Sequence, residues 1–512
     1  VAGGLRQFEG PTEVEEVSRM GEDVAQLTFS RDDRQRYREK LRRSLDVFAR
    51  MLGESKFDFE RPLTGLEIEF NLVDADHDPA MRNAEVLTAI ANDAFQTELG
   101  QFNIEINVQP RPLLGRAALD LETELRASLN DAEERSRAID AHIVMIGILP
   151  TLTPAHLTIE SISANPRYSL INEQIFAARG EDLHIDIDGP DRLSMFADTI
   201  APESACTSVQ FHIQVSPSEY ASYWNSAQCA AGVQVALGAN SPFLFGKELW
   251  RETRVALFEQ ATDTRPPELK AQGVRPRVWF GERWITSIFD QFEENVSYFP
   301  ALLPICHAED PLVVLERGDT PELSELRMHN GTIYRWNRPV YDVFRGQPHL
   351  RVENRVLPAG PTVVDILANG AFYYGLVRYL AQQERPVWSQ MSFAAAEDNF
   401  NTGARKGIDA DLYWPGAGEV PVTELVLRRL APAAREGLEM WGVESSVIDR
   451  LVGIVEGRCI AHQNGAEWQA RTFHRIDDRT QPLDRRDALR AMLGGYIERM
   501  HSNEPVHTWP SD

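Results

Sequence analysis

Cysteine is scarce and scattered. The 512-residue chain has 4, at Cys206, Cys229, Cys306 and Cys459. None belongs to a C-x-x-C pair, which argues against a disulfide scaffold or a zinc ribbon and leaves buried thiols as the expectation. Long apolar runs are also missing. The longest, Ile143 to Leu149, falls far short of the ~20 residues a spanning helix needs, so no membrane partner is expected. Positive charge is in deficit: 52 Lys and Arg against 77 Asp and Glu give a formal net charge of −25. Such a surface repels nucleic acid and anionic lipid. No basic-then-apolar secretion signal stands at the start, and a reduced, cytoplasmic location is expected. The familiar nucleotide and hydrolase motifs are absent too: there is no G-x-x-x-x-G-K-[ST], complete G-x-G-x-x-G, H-E-x-x-H or G-x-S-x-G. Any ATP site must be built on a sheet, with metals doing most of the phosphate binding.

What is present is ordinary globular composition, 43% hydrophobic and 25% charged. Residues 1–29 read as a loose acidic arm. Ser30 can cap a helix whose Tyr37, Leu41, Leu45, Phe48 and Leu52 share an apolar face, while Arg36, Arg38, Arg42 and Arg43 form a solvated one. Together these make an N-terminal extension over 1–57. A second long helix is expected from Leu119 to Ala141. A catalytic domain is expected over 58–410, a helical part packed on it over 411–480, and a polar tail over 481–512.

Four segments between the helices alternate with a period of two. Residues 64–72 read T-G-L-E-I-E-F-N-L, 102–109 read F-N-I-E-I-N-V-Q, 208–215 read S-V-Q-F-H-I-Q-V and 351–356 read R-V-E-N-R-V. In a strand this puts the aliphatics on one face and the polar residues on the other. A solvated sheet face would look similar but favours Thr, Ser and Lys. These stripes hold Glu67, Glu69, Glu105, Glu353, His212, Arg351, Arg355 and several amides, with neither Thr nor Lys. They read as the lining of a polar cavity. A further strand, Leu183 to Asp188, carries His184, Asp186 and Asp188 on one side; cavity and solvent are equally open readings for it.

Clustered carboxylates repel one another unless protonated or neutralised by a cation. Their oxygens suit Mg²⁺, and one histidine among them also suits Mn²⁺. Arg351 and Arg355 flank Glu353 and would set fixed positive charge beside the metals, the combination phosphoryl transfer uses. Residues 240–246 read N-S-P-F-L-F-G, and Lys247, Arg251 and Arg254 follow at i, i+4 and i+7. They read as one basic helix face, either a phosphate or carboxylate patch or a surface cluster.

In order along the chain, G-L-E-I-E at 65–69, I-E-I-N-V-Q-P at 104–110, N-P-R-Y at 165–168, V-Q-F-H-I-Q at 209–214, N-S-P-F-x-x-G at 240–246, Arg254, Arg265, R-V-E-N-R at 351–355 and E-D-N-F-N-T-G-A-R-K-G-I-D-A at 397–410 resemble the glutamate–cysteine ligases and related carboxylate–amine ligases. The resemblance implies an α+β fold: a curved antiparallel sheet of glutamine-synthetase type, polar on its concave face and backed by helices. It implies a ligase that uses ATP and Mg²⁺, with Mn²⁺ as a substitute, to make an amide through an acyl phosphate, glutamate or a similar carboxylate being the acid. The partners implied are small molecules, with homo-oligomers possible. Carried over by position, Glu67, Glu69, Glu105, His212 and Glu353 would be metal ligands. Arg355, Arg351 and Glu353 would act on the transferred phosphate. Arg254, Lys247, Asn240 and Gln214 would contact nucleotide or substrate, with Arg167 a further candidate. Relatives often carry a second histidine where Gln214 stands, which bears on one metal position. The alternatives are a guanido-kinase-like phosphotransferase on the same scaffold and a catalytically silent, ATP- or metal-binding regulatory homologue. Glu67→Gln and Glu353→Gln are expected to abolish turnover and leave the fold intact.

Overall fold

The computed structural model describes residues 29–59, 62–477 and 483–510. Its centre is one sheet of seven strands: β1 (Thr64–Val73), β2 (Phe95–Thr97), β3 (Asn103–Arg111), β4 (His142–Val144), β5 (Ser208–Gln214), β6 (Asn337–Phe344) and β7 (Gln347–Pro358). The strands lie in the order β6-β7-β5-β1-β3-β2, with β4 also paired to β1, and every pairing is antiparallel. The alternation read from the sequence has a direct physical consequence. Leu66, Ile68, Phe70, Phe211, Ile213 and Val352 are all buried, on the face opposite the polar stripes. Phe211 there meets Tyr373 and Tyr374 at ring-centroid distances of 6.2 and 5.7 Å.

The helices used below are α1 (Arg31–Gly53), α2 (Ala117–Arg137), α3 (Pro166–Arg179), α4 (Tyr220–Gly238), α5 (Thr253–Ala261), α6 (Ile288–Tyr298), α7 (Ser324–Asn330), α8 (Val363–Ala381), α9 (Ala431–Met440), α10 (Ser445–Ala461) and α11 (Arg485–Ser502). α4 and α8 are apolar around most of their circumference, as helices buried on all sides must be. They back the sheet. α8 and α9 cross so closely that a Cβ on Gly437 would lie 1.8 Å from the Gly375 carbonyl oxygen.

α1 starts where expected. The Ser30 hydroxyl accepts from Asp33 N, and the Asp33 carboxylate accepts the Ser30 N–H in return. Tyr37, Leu41, Leu45 and Phe48 are buried and Leu52 half-buried, while Arg36, Arg38, Arg42 and Arg43 face outward. The arm before it lies outside the described residues, apart from Phe29.

Two expectations need correction. Within the expected tail over 481–512, the described residues 483–510 are not a loose tail: α11 buries Leu489, Met492, Leu493, Tyr496 and Met500, and Tyr496 Oη donates to the Met145 carbonyl at 2.7 Å. Lys247, Arg251 and Arg254 share no helix face. Phe243–Leu244 pairs with Lys247–Glu248 as a short hairpin, turning through Phe245 and Gly246 at φ 50 and 72, and α5 begins only at Thr253. Leu183–Asp188 is a strand, as expected, and of its two open readings the solvent one holds: it pairs with Arg192–Ala197 in a separate two-stranded sheet, with His184 and Asp188 exposed.

Candidate active site

Strand register gathers the predicted acids. Glu69 lies opposite Glu105, Glu67 opposite Gln210 and Gly65 opposite His212, and Glu353 opposite both His212 and Arg338. With a side-chain period of two, this row of Glu105, Glu69, Glu67, Gln210, His212 and Glu353 crosses the polar face from β3 to β7. Gly65 is small because the His212 ring crosses over it: a Cβ there would sit 3.2 Å from His212 Cβ.

A cavity of about 290 Å³ opens over this row, with Glu98, Glu105, Glu203, Gln210 and Glu353 in its wall beside Arg167, Arg327, Arg338, Arg351 and Arg355. A smaller recess of about 70 Å³ adjoins it, lined in part by Glu69, Glu98, Glu203, Arg254 and Arg355. Arg355 borders both.

The two ends differ in charge. At the acidic end Glu69, Glu98 and Glu105 each place one carboxylate oxygen within 4.8 Å of the others. Burial, then Glu69, push the Glu98 carboxyl up to about 8, and the same two causes push Glu203 up to about 7. Burial and the neighbouring glutamates hold Glu105 well above the carboxylate range, and burial raises Glu69 despite Arg355 nearby. Glu69 is oriented by Ser208 N at 2.6 Å and Gln210 Nε2 at 3.0 Å.

At the other end positive charge prevails. Glu353 accepts from Arg355 at 2.6 Å and from Arg338 at 2.9 Å. Burial opposes its ionisation, yet Arg338, Arg355 and His212 outweigh that and hold it far below the ordinary range. Arg355 also donates to Gln210 Oε1, and Glu353 raises the pKa of its guanidinium in spite of burial. Arg351 binds Asp342 at 2.9 Å, His349 at 2.9 Å and His212 Nδ1 at 3.1 Å.

Of the predicted set, Glu67, Glu69, Glu105, His212, Glu353, Arg351 and Arg355 therefore come together, and Arg167 lines the same cavity. The other predicted contacts do not present free groups to it. Gln214 spends its amide on the chain entering β1, donating to Asp58 O at 2.7 Å and accepting from Leu63 N at 3.0 Å. Asn240 is buried elsewhere, donating to Ala359 O and Tyr496 Oη at 2.7 and 2.8 Å. Lys247 is exposed on its hairpin. Arg254 borders the smaller recess but is committed to structure. The β5–β7 register shifts between Asn354 and Leu357, and Arg254 donates to the Arg355 and Val356 carbonyls within that bulge. Sequence reasoning missed Glu98, Glu203 and Arg338. Glu98 follows a three-residue strand and Glu203 sits in a single turn (Ala201–Ala205), too short to show any period. Arg338 was detectable only through its pairing with Glu353.

The residues present fit a divalent cation. Besides the acidic trio, Glu67 Oε2 and His212 Nε2 are buried without a hydrogen-bond partner among the described residues, although Nε2 lies 3.0 Å from Glu67 Oε1. Buried polar atoms left unpaired are costly, and both types are metal-ligating.

A curled antiparallel sheet backed by helices, with a polar cavity acidic at one end and basic at the other, is a fold of the glutamine-synthetase type. The chain belongs to glutamate–cysteine ligase family 2, whose family model matches residues 63–466, which places it among the carboxylate–amine ligases. Its fold is similar to glutamate–cysteine ligase from Francisella tularensis, solved in complex with AMP, at TM-score 0.53 and 11% identity over 88% of this chain and 91% of that one. It is also similar to a bifunctional glutathione synthetase from Pasteurella multocida, at TM-score 0.50 and 12% identity over 90% of this chain and 55% of that one. No curated protein matches it. No helix among the described residues is long and apolar enough to cross a membrane.

Proposed function

We propose that this chain condenses a carboxylic acid, glutamate or a close analogue, with an amine at the expense of ATP. The observation that carries the reading is the row from Glu105 to Glu353 under one cavity, with its charge divided between two ends. Glu69, Glu98 and Glu105 would hold one divalent cation, and Glu67, His212 and Glu353 form a second donor set beside it. Bound Mg²⁺ or Mn²⁺ supplies the positive charge that lets nucleotide phosphates approach these carboxylates and steadies the leaving ADP.

The chain's own groups do the rest. Arg355, fixed by Glu353 and Gln210, aims a guanidinium at the region between the two ends, where the γ-phosphoryl group would pass. A carboxylate oxygen of the acid attacks the γ-phosphorus, an O–P bond forms and ADP departs. The amine then attacks the acyl carbon, phosphate leaves with the bridging oxygen, and the amine loses a proton.

The test is direct. Purified protein is incubated with ATP, Mg²⁺, glutamate and a panel of amines that includes cysteine, while ADP and products are followed. ADP formation that needs both acid and amine, with an amide as product, is expected. A phosphorylated acceptor would make the protein a phosphotransferase, and nucleotide binding without turnover across the panel would make it a silent homologue.

A further inference from the structure

The ion pairs at the basic end fix the state of His212. Arg351 Nε donates to His212 Nδ1 at 3.1 Å. A guanidinium N–H is a donor at every accessible pH, so Nδ1 must accept. A neutral ring that accepts at Nδ1 carries its proton on Nε2, the atom facing Glu67 Oε1 at 3.0 Å. A cation needs a free lone pair at that nitrogen. Histidines that bind metals ordinarily point their other N–H at an acceptor; here a donor stands in the acceptor's place.

Arg351 is held there from two directions. Its Nη1 reaches Asp342 Oδ2 and His349 Nε2, each at 2.9 Å, while Asp342 Oδ1 takes Arg327 from α7 at 2.7 Å. All three of Arg327, Asp342 and Arg351 line the large cavity, so an anion entering it competes with Asp342 for the guanidinium groups. A phosphate group matches their forked donors.

We propose that Arg351 is a positioning residue that keeps the Glu67–His212–Glu353 set closed to cations until a phosphate group draws it off His212. The inference deepens the ligase reading and rests on it. The Glu69–Glu98–Glu105 trio fills first, and the second set fills only once phosphate is present. Once Arg351 has left, Nδ1 is free to take up the ring proton as a cation displaces it from Nε2, the ring's net charge unchanged, and Nε2 gains the lone pair that ligation requires.

Long-range ¹H–¹⁵N spectra of metal-free protein labelled at histidine nitrogens test this, with His212→Asn identifying the resonance. The expected result is the Nε2–H tautomer in the unsubstituted protein, kept on adding Mg²⁺ alone and lost when Mg²⁺ is added together with inorganic phosphate or to Arg351→Met. Counting Mn²⁺ by the electron paramagnetic signal of the free ion should give one tight site without phosphate and two in Arg351→Met. An Nδ1–H tautomer in the metal-free protein, or two tight Mn²⁺ sites without phosphate, overturns the proposal. Thermal unfolding checks that Arg351→Met folds; if it does not, the unsubstituted tautomer and Mn²⁺ count decide. None of these readouts needs turnover, so an inactive ligase and a wrongly assigned histidine remain distinguishable.

Discussion

Glu353 and Glu105 lie on the same polar face, yet replacing each by its amide should have opposite effects on stability. Glu353 neutralises two buried guanidinium groups, Arg338 and Arg355, whereas Glu105 faces other carboxylates. Breaking a buried pair costs about 3–5 kcal/mol, whereas removing a carboxyl that burial and neighbouring glutamates keep from ionising in the folded state is favourable at neutral pH. Glu353→Gln should therefore lower the unfolding temperature of metal-free protein and Glu105→Gln should raise it, with turnover lost in both. This departs from the sequence-based expectation that Glu353→Gln leaves the fold intact; pairing across β6 and β7 was invisible in a one-dimensional stripe. Equal shifts of the same sign in a calorimeter would refute the division of charge. Arg355→Lys should reduce turnover by roughly 10²-fold or more, since an ammonium cannot replace a planar fork that contacts Glu353, Gln210 and the cavity together. Near-normal turnover in steady-state assays would show that Arg355 serves only structure.

Elements with a clean period were legible and those shaped by irregular backbone were not. α1 and the four stripes announce themselves through spacing alone. The basic run from Lys247 to Arg254 mimics a helix face, but the positive φ angles at Phe245 and Gly246 turn the chain back first. α11 was hidden by its arginines and by Gly494-Gly495. Gly494 is needed because a Cβ there would come within 2.7 Å of the His77 ring. α1 itself backs the cavity wall. Phe48 meets Phe292 of α6 and Tyr341 of β6 at 4.9 and 5.7 Å, both of which line the cavity. Tyr37 Oη donates to the Glu325 carbonyl of α7 at 2.8 Å. Phe48→Ala should thus cost about 3–5 kcal/mol in denaturant unfolding. A glycine pair tests the helix crossing. Gly437→Ala, driven into the Gly375 carbonyl, should destabilise by about 1–3 kcal/mol or more. Gly453→Ala in α10, with nothing within 4 Å of the new methyl, should stabilise by about 0.5–1 kcal/mol. Equal effects in urea titrations would mean that α8 and α9 are not in close contact.

For the whole molecule, a net charge of −25 coexists with a cavity that keeps positive charge at one end only. Burial and Glu69 push Glu98 and Glu203 up to about 8 and about 7, so at these two sites the folded metal-free chain binds more protons than the unfolded one. The stability these groups contribute is full below the unfolded value and is lost as pH rises through about 7 and about 8. Metal-free protein should therefore melt at lower temperature at pH 8 than at pH 5.5, and Mg²⁺ should restore more at the higher pH; a calorimetric series at both checks this, and a Mg²⁺ effect independent of pH would contradict it. The cavity's purpose is tested most directly by labelling the acid. With ¹⁸O in the reacting carboxylate of glutamate, ATP, Mg²⁺ and an accepted amine, ligation through an acyl phosphate predicts one ¹⁸O in the released inorganic phosphate by mass spectrometry. Amide formation with unlabelled phosphate, or label-free phosphate transferred to the amine, would contradict it.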